Sequence, residues 1–363
     1  MTDTTSTLKS PPYRGTRLSA VVTNYNGMDT LPSTIQSLVN YPLELEEIIV
    51  VDDGSTDESV AWLRQNHPGV RVIEMGRNTA NLGLVRNCGL RAATGTHVFL
   101  TDNDIELLDR CLEEQLDVML ADPQVFCVTP RLVYRDAHDR IYQDGYGMHF
   151  LAVGTTAPPG TASRRGATLA EAGTPPPFMT CGGGIMLLDM ALAREIGLFD
   201  EGYVHGWCDD GELQFRGILY GYKCLHVAAA MCTHDAQQHG TKRAFGQVHN
   251  RFRVLLTFYR ARTLLALAPS LLVFESLLLV GSIAGGFFPS YRRAVRETWR
   301  SRRSGIAMRR EMQRRRKICD RELFWSGAID LPGAVRKGGP TMIVMRLLEI
   351  FFSANWRLAR LFC

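Results

Sequence analysis

The chain has 363 residues, 45% of them hydrophobic and 21% charged, a balance that excludes a disordered, fibrous or collagen-like chain. It can bury a sizeable core, as one large domain with an appendage or as two domains. The formal net charge is +4, but thirteen basic against three acidic residues between positions 291 and 321 concentrate +10 there and leave the remainder net acidic.

Residues 1–16 are polar, lack the apolar core of a signal peptide and are expected to be a flexible tail. From there strand and helix signals alternate. Residues 18–23 (LSAVVT), 47–51 (EIIVV), 70–74 and 97–101 are short apolar runs of strand character. Residues 31–39, 57–65 and 84–93 between them carry helical spacing, the last closed by Gly95. Apolar runs separated by helix-length segments predict an α/β fold, with a Rossmann-like, mostly parallel central sheet flanked by helices on both faces. In such sheets ligands collect beyond the carboxyl ends of the strands.

Three polar clusters fall at that edge. After the first strand, Thr23 and Tyr25 can bracket a flat base while Asn24 and Asn26 shape the loop; an ordinary turn is the competing reading. After the second, Asp52 and Asp53 can accept from a base imide or a ribose hydroxyl, with Ser55 or Thr56 capping the next helix. After the fourth come Asp102 and Asp104, separated by one residue, so that both side chains leave the same side of an extended segment. Two converging carboxylates repel unless a cation lies between them, and hard Mg²⁺ or Mn²⁺ carrying a diphosphate answers that need. Arg86 and Asn87 stand near a helix start, where a guanidinium can reach phosphate oxygens; a solvated helix face is the rival reading. Nine cysteines make no Cys-x-x-Cys pair and no zinc-ligand spacing, which suits a reduced cytosolic setting.

Seven blocks together resemble the family-2 glycosyltransferases of GT-A fold: VVTNYN at 21–26, VVDDGSTD at 50–57, NLGLVRNCG at 81–89, FLTDND at 99–104, CGGGIMLLDMALAREIGLFDE at 181–201, CDDGELQFRGILYGYKC at 208–224, and THD at 233–235. The resemblance implies a catalytic domain over residues 17–262. Within it Thr23, Tyr25, Asp52, Asp53, Arg86 and Asp102 are implied to hold the donor nucleotide. Asp102, Asp104 and His234 are implied as ligands of a divalent metal, Mn or Mg. Gly182, Gly183 and Gly184, with Trp207, are implied to lie under the donor sugar and acceptor. Asp210 matches the general base of a Glu-Asp pair; Asp209 stands where the family more often has glutamate, which leaves the choice between the two carboxylates open. The chain has no Gln-x-x-Arg-Trp sequence, the polymer-holding feature of processive members, so transfer of a single sugar is expected.

Elementary chemistry runs the same way. Displacing a diphosphate from an anomeric carbon builds charge that a cation stabilises, and a carboxylate can take the proton of an attacking hydroxyl. One base opposite the leaving group gives inversion. His205, His226, His239 and His249 are read as structural. Residues 145–177, rich in Gly, Ala, Pro and Thr around Arg164 and Arg165, are read as a mobile acceptor-side loop, with a passive insertion as the alternative.

Residues 263–363 form an expected helical, basic, membrane-associating region. The run 264–288 is long enough to span a bilayer but carries Pro269 and Glu275. Since nucleotide sugars are cytosolic, a single crossing would put the +10 segment on the far side, against the positive-inside rule. A monotopic helix on the cytoplasmic face of the plasma (inner) membrane, with residues 342–361 as a second surface helix, avoids this. An amphipathic pair packed on the soluble domain or at a dimer contact is the alternative. No nucleic-acid module accompanies the basic run. The expected activity is inverting, metal-dependent transfer of one sugar from a UDP-, dTDP- or GDP-sugar to a glycan or lipid-linked acceptor, for polysaccharide precursors of the cell envelope. A nucleotidyltransferase would share the architecture but show a basic phosphate loop that TNYNG lacks, and an inactive glycan-binding or scaffold descendant would not need the acidic set.

Overall fold

The computed structural model describes residue 13 and residues 15–145, 147–155, 164–172, 184–234, 244–326 and 340–363. Most of the expected tail, Gly182, Gly183 and much of the 145–177 segment lie outside the described residues.

The first half alternates as the sequence predicts: β1 (Leu18–Asn24), α1 (Leu31–Val39), β2 (Glu47–Asp52), α2 (Ser59–Asn66), β3 (Arg71–Glu74), α3 (Leu82–Ala92) and β4 (His97–Asp102). A short β5 (Ile105–Leu107), α4 (Cys111–Ala121), β6 (Val125–Tyr134) and β7 (Ala137–Gln143) follow. The ribbon β8 (Gly147–His149) and β9 (Val153–Thr155), the single turn α5 (Leu169–Ala172), β10 (Met186–Asp189) and α6 (Met190–Ile196) come next. Then α7 (Asp209–Leu219), β11 (Lys223–His234) and α8 (Ala244–Thr257) complete the expected catalytic segment. Beyond it lie α9 (Ala261–Ala284), α10 (Phe288–Arg300), α11 (Arg302–Arg315), α12 (Asp320–Leu323) and α13 (Pro340–Ala359).

The main sheet runs β3-β2-β1-β4-β10-β6-β11-β5, with β7 beside β6. The first four strands pair in parallel. Beyond them the sheet is mixed, because β10 lies antiparallel to both β4 and β6 while β6 and β11 are parallel again. Side-chain alternation sends neighbours to opposite cores. Val21, Ile49, Val51, Val98 and Leu100 pack with the layer containing α3, α6 and α7. Ala20, Val22, Val50 and Phe99 pack with the layer containing α1 and α4. The strand order switches at β1, from which β2 and β3 extend to one side and β4 to the other, all in parallel, and this leaves a crevice at their carboxyl ends.

The C-terminal helices are stitched into this body. Tyr259 stacks on Phe324 at 4.0 Å, and Phe150 stacks on Trp356 at 4.9 Å. Trp325 bonds β8 through both backbone groups, donating to Met148 O and accepting from Phe150 N, each at 2.9 Å. Part of the basic run is consumed by packing rather than offered to solvent. Arg309 donates to the carbonyls of Leu256 and Tyr259 at 2.7 Å, and Gln313 to those of Thr257 and Phe258, closing the C-terminus of α8.

Candidate active site

A cavity of about 680 Å³ opens at the ends of β1, β2 and β4. Thr23, Tyr25, Asp53, Arg86, Asp102, Asp104, Trp207, Asp209, Asp210 and His234 all line it. Residues scattered over two hundred positions are thus gathered at one mouth, of a size suited to a small organic ligand.

A chain of amide and carboxylate bonds holds the strand ends together. Asn103 Nδ2 donates to Asn24 Oδ1 at 2.7 Å, and Asn24 Nδ2 donates to Asp52 Oδ1 at 2.8 Å. Asp52 also accepts from the Ser55 amide and hydroxyl at 2.8 and 2.5 Å. It is buried and is not among the lining residues; Asp53 is the carboxylate at the cavity wall. Ser55 therefore serves this network, and the N-cap position of α2 is Glu58, with no side-chain cap bond, contrary to the capping role expected of Ser55 or Thr56. Gly27 is required by the same crowding: a Cβ there would stand 1.9 Å from Asn103 Nδ2. Tyr25 remains 48% exposed, presenting a flat ring at the mouth.

Arg86 is the electrostatic centre. It is 2% exposed, which rules out the solvated-face reading. Its Nη1 donates to Asp209 Oδ2 at 2.6 Å and its Nη2 to Asp102 Oδ1 at 3.3 Å, while the Thr23 hydroxyl also donates to Asp102 Oδ1, at 2.7 Å. Burial opposes the charge on Arg86, but the carboxylates of Asp102, Asp209 and Asp210 outweigh it and hold the guanidinium above its ordinary pKa. Burial raises the pKa of Asp209, against the pull of Arg86.

The two adjacent aspartates at the start of α7 therefore differ. Asp209 is buried and committed to Arg86, and its Oδ1 also accepts from Trp207 N at 2.9 Å. Asp210 is half-buried at the cavity wall, its Oδ2 accepting from Gly184 N at 3.0 Å. Gly184 has φ +67°, and a Cβ on it would meet Arg86 Nη2 at 2.1 Å, so this position needs glycine twice over.

The loop that delivers Trp207 and the aspartates is strained. His205, Gly206, Trp207 and Cys208 have φ of 60°, 64°, 99° and 62°, three of them non-glycine residues in left-handed backbone. Fully buried Asn250 on α8 clamps it: Nδ2 donates to Val204 O at 3.0 Å and Trp207 O at 2.8 Å, and Oδ1 accepts from Val204 N at 3.2 Å. Gly246, one turn earlier, lets α8 approach so closely that a Cβ would stand 2.7 Å from Gly206 O.

On the opposite wall, His234 Nε2 lies 3.7 Å from Asp104 Oδ2. The imidazole stacks on Tyr142 with centroids 4.6 Å apart, and the guanidinium of Arg165 covers Tyr142 at 4.3 Å. The donor set of Asp102, Asp104 and His234 suits a hard divalent ion, and His234 Nδ1 is buried with no hydrogen-bond partner among the described residues. The two carboxylates nonetheless serve different neighbours, Asp102 turning to Arg86 and Thr23, Asp104 to His234. Among the described residues no three His, Cys, Asp or Glu side chains stand as a ready-made metal cluster. Asn250 and Tyr142 escaped the sequence reading, since nothing in their spacing marks them, whereas Arg165 was named there within the segment read as an acceptor-side loop.

Residues 19–197 match the family model described as Glycosyl transferase family 2. An uncharacterized glycosyltransferase, YibD, of Escherichia coli K12 is 34% identical over 28% of this chain and 32% of its own. The poly(ribitol-phosphate) beta-N-acetylglucosaminyltransferase TarP of Staphylococcus aureus N315 is 29% identical over 27% of this chain and 31% of its own. The match thus spans about a third of the length of these curated relatives. Among solved structures, GalNAc-T7 with UDP, GalNAc and Mn²⁺ superposes with a TM-score of 0.55 at 19% identity, over 70% of this chain and 51% of that one. Motif order, strand order and the family match agree, and residues 19–197 form a glycosyl transferase family 2 domain, on a GT-A fold.

Proposed function

We propose that this chain is an inverting, divalent-metal-dependent glycosyltransferase that moves one sugar from a UDP-, dTDP- or GDP-sugar to a membrane-associated glycan or lipid-linked acceptor at the cytoplasmic face of the membrane. The observation that carries the reading is the unequal pair Asp209 and Asp210. Asp209 is tied to Arg86, which leaves Asp210 as the base that takes the proton of the acceptor hydroxyl. The Gly184 amide holds that carboxylate in place.

Tyr25, Asp53 and Trp207 all line the cavity, which supports assigning the first two to the base and ribose and Trp207 to the sugar and acceptor. Asp104 and His234, with Asp102, are the residues that would hold the ion. A divalent ion bound there would offset the charge growing on the departing diphosphate. The relatives named for transfer to poly(ribitol-phosphate) support a polymeric or lipid-linked acceptor.

The test is a donor screen. Purified protein with Mn²⁺ is expected to release nucleoside diphosphate slowly from one of the UDP-, dTDP- or GDP-sugars without acceptor. Asp210→Asn should abolish transfer while donor affinity stays near wild type. No turnover and no binding across the panel would overturn the reading, and a matching loss of donor binding in Asp210→Asn would take the base role from Asp210.

A further inference from the structure

The structure leaves one large surface unaccounted for by the cavity, on the helices that follow α8. Helix α9 is long and apolar enough to cross a membrane. Its packing has a direction, however. Thr263, Leu267, Ser270 and Phe274 are buried, and they recur at i, i+4, i+7 and i+11, one face of a helix. Glu275, beside that face, accepts from Arg251 of α8 at 2.5 Å and from Tyr291 of α10 at 2.6 Å. The carboxylate that argued against membrane contact is therefore turned into the protein. The opposite face carries Leu265, Leu272, Leu279 and Ile283, all exposed, with no charged residue among them.

Helix α13 repeats the arrangement. It docks on α9 through Phe352 against Phe274 and through Asn355, which accepts from Ser270 at 2.5 Å and donates to Ala266 O at 3.1 Å. Leu347, Phe351 and Leu358 line its exposed side, with Arg346, Glu349 and Arg357 on the neighbouring one, and exposed Arg360 and Leu361 follow directly after the helix. In α10, Phe288, Val295 and Trp299 form an exposed apolar line, beyond which lie exposed Arg292, Arg296 and Arg300.

We infer that α9, α10 and α13 form a docking face for an anionic lipid bilayer, with α9 lying in the plane of the membrane. A helix tied through Glu275 to Arg251 of α8 and to Tyr291 of the basic helix α10 cannot cross a bilayer without drawing the neighbouring arginines towards it. Apolar lines bordered by arginines, with a tryptophan at the boundary, fit the interface between acyl chains and acidic headgroups. A second copy of this chain fits worse, because burying the face in a dimer would bring the same arginines together without neutralising them. The inference rests on these helices and not on the donor chemistry.

The test uses the full chain and vesicles of phosphatidylcholine with or without phosphatidylglycerol. Flotation is expected with the anionic vesicles, weakened by high salt, and reduced about 10-fold in the double variant Leu272→Glu, Ile283→Glu. That variant should keep the wild-type melting temperature and nucleotide affinity, since both side chains face outward. Spin labels at positions 265, 272 and 279 should report one common depth in the bilayer. A graded depth across those positions would replace the in-plane reading with a crossing helix. Failure to bind either vesicle, or a lipid-free dimer that the double variant dissociates, would overturn the proposal. Failure of the donor screen with flotation intact would leave this face standing and remove only the proposed reaction.

Discussion

Arg86 and Asp209 are 123 positions apart in the chain and 2.6 Å apart in space. Both are buried, and Arg86 is the cation that offsets the burial of Asp209, while Arg86 is held by Asp102 as well. Removing one partner of such a pair leaves an uncompensated buried ion, at a cost of about 3–5 kcal/mol. Arg86→Ala is expected to lower stability on that scale and to abolish transfer, whereas Asp210→Asn should remove transfer with little change in melting temperature. Thermal denaturation beside single-turnover assays separates the two outcomes.

Gly184 occupies left-handed backbone against Arg86 and offers its amide to Asp210. Gly184→Ala should displace Arg86, cost about 1–3 kcal/mol from strain and crowding, and reduce transfer more than 10-fold. Retention of wild-type turnover would show that the amide does not hold the base.

Asn250 touches the loop of Asp209 and Asp210 only through backbone bonds. Asn250→Asp conserves shape but removes both donors, leaving the carbonyls of Val204 and Trp207 short of partners. A loss of about 1–3 kcal/mol is expected, with turnover falling while KM for the donor changes little. A purely structural residue would move stability without that split.

Stability should fall as the solution is acidified below about pH 6.5. His97, His205 and His249 each have a pKa lowered from the ordinary value, chiefly by burial. The unfolded chain then binds more protons than the folded one between the depressed and ordinary values. Their contribution is complete above the unfolded pKa and is lost as pH falls towards the folded one. Denaturant titrations at several pH values should show this slope, and His249→Gln should make it shallower.

The sequence was most legible where chemistry and chain order coincide. Residues 18–102 encode the parallel half of the sheet, since three of its four apolar strands, β1, β2 and β4, end in polar clusters at the cavity, and the strand bounds differ by a residue or so. The rest was hidden for physical reasons. The mixed half depends on β10 inserting antiparallel between β4 and β6, a long-range pairing that local periodicity cannot express. Pro130 within β6 also reads as a strand breaker, and it sits where the β6–β11 register shifts. The partnership of Arg86 with Asp209, the Asn250 clamp and the Tyr142–His234 stack are products of folding, with no spacing signature. The basic run 291–321 was read as one surface, although Arg309 and Arg316 turn inward to carbonyls and to Asp320.

The ring stacks that join Phe150 to Trp356 and Tyr259 to Phe324 set the terms for handling this enzyme. A fragment ending before residue 263 would lose Trp356 and Phe324 and lay bare the buried rings of Phe150 and Tyr259 that they cover. Charged point changes on the outer leucines of α9 alter that exposed face while leaving both ring stacks in place.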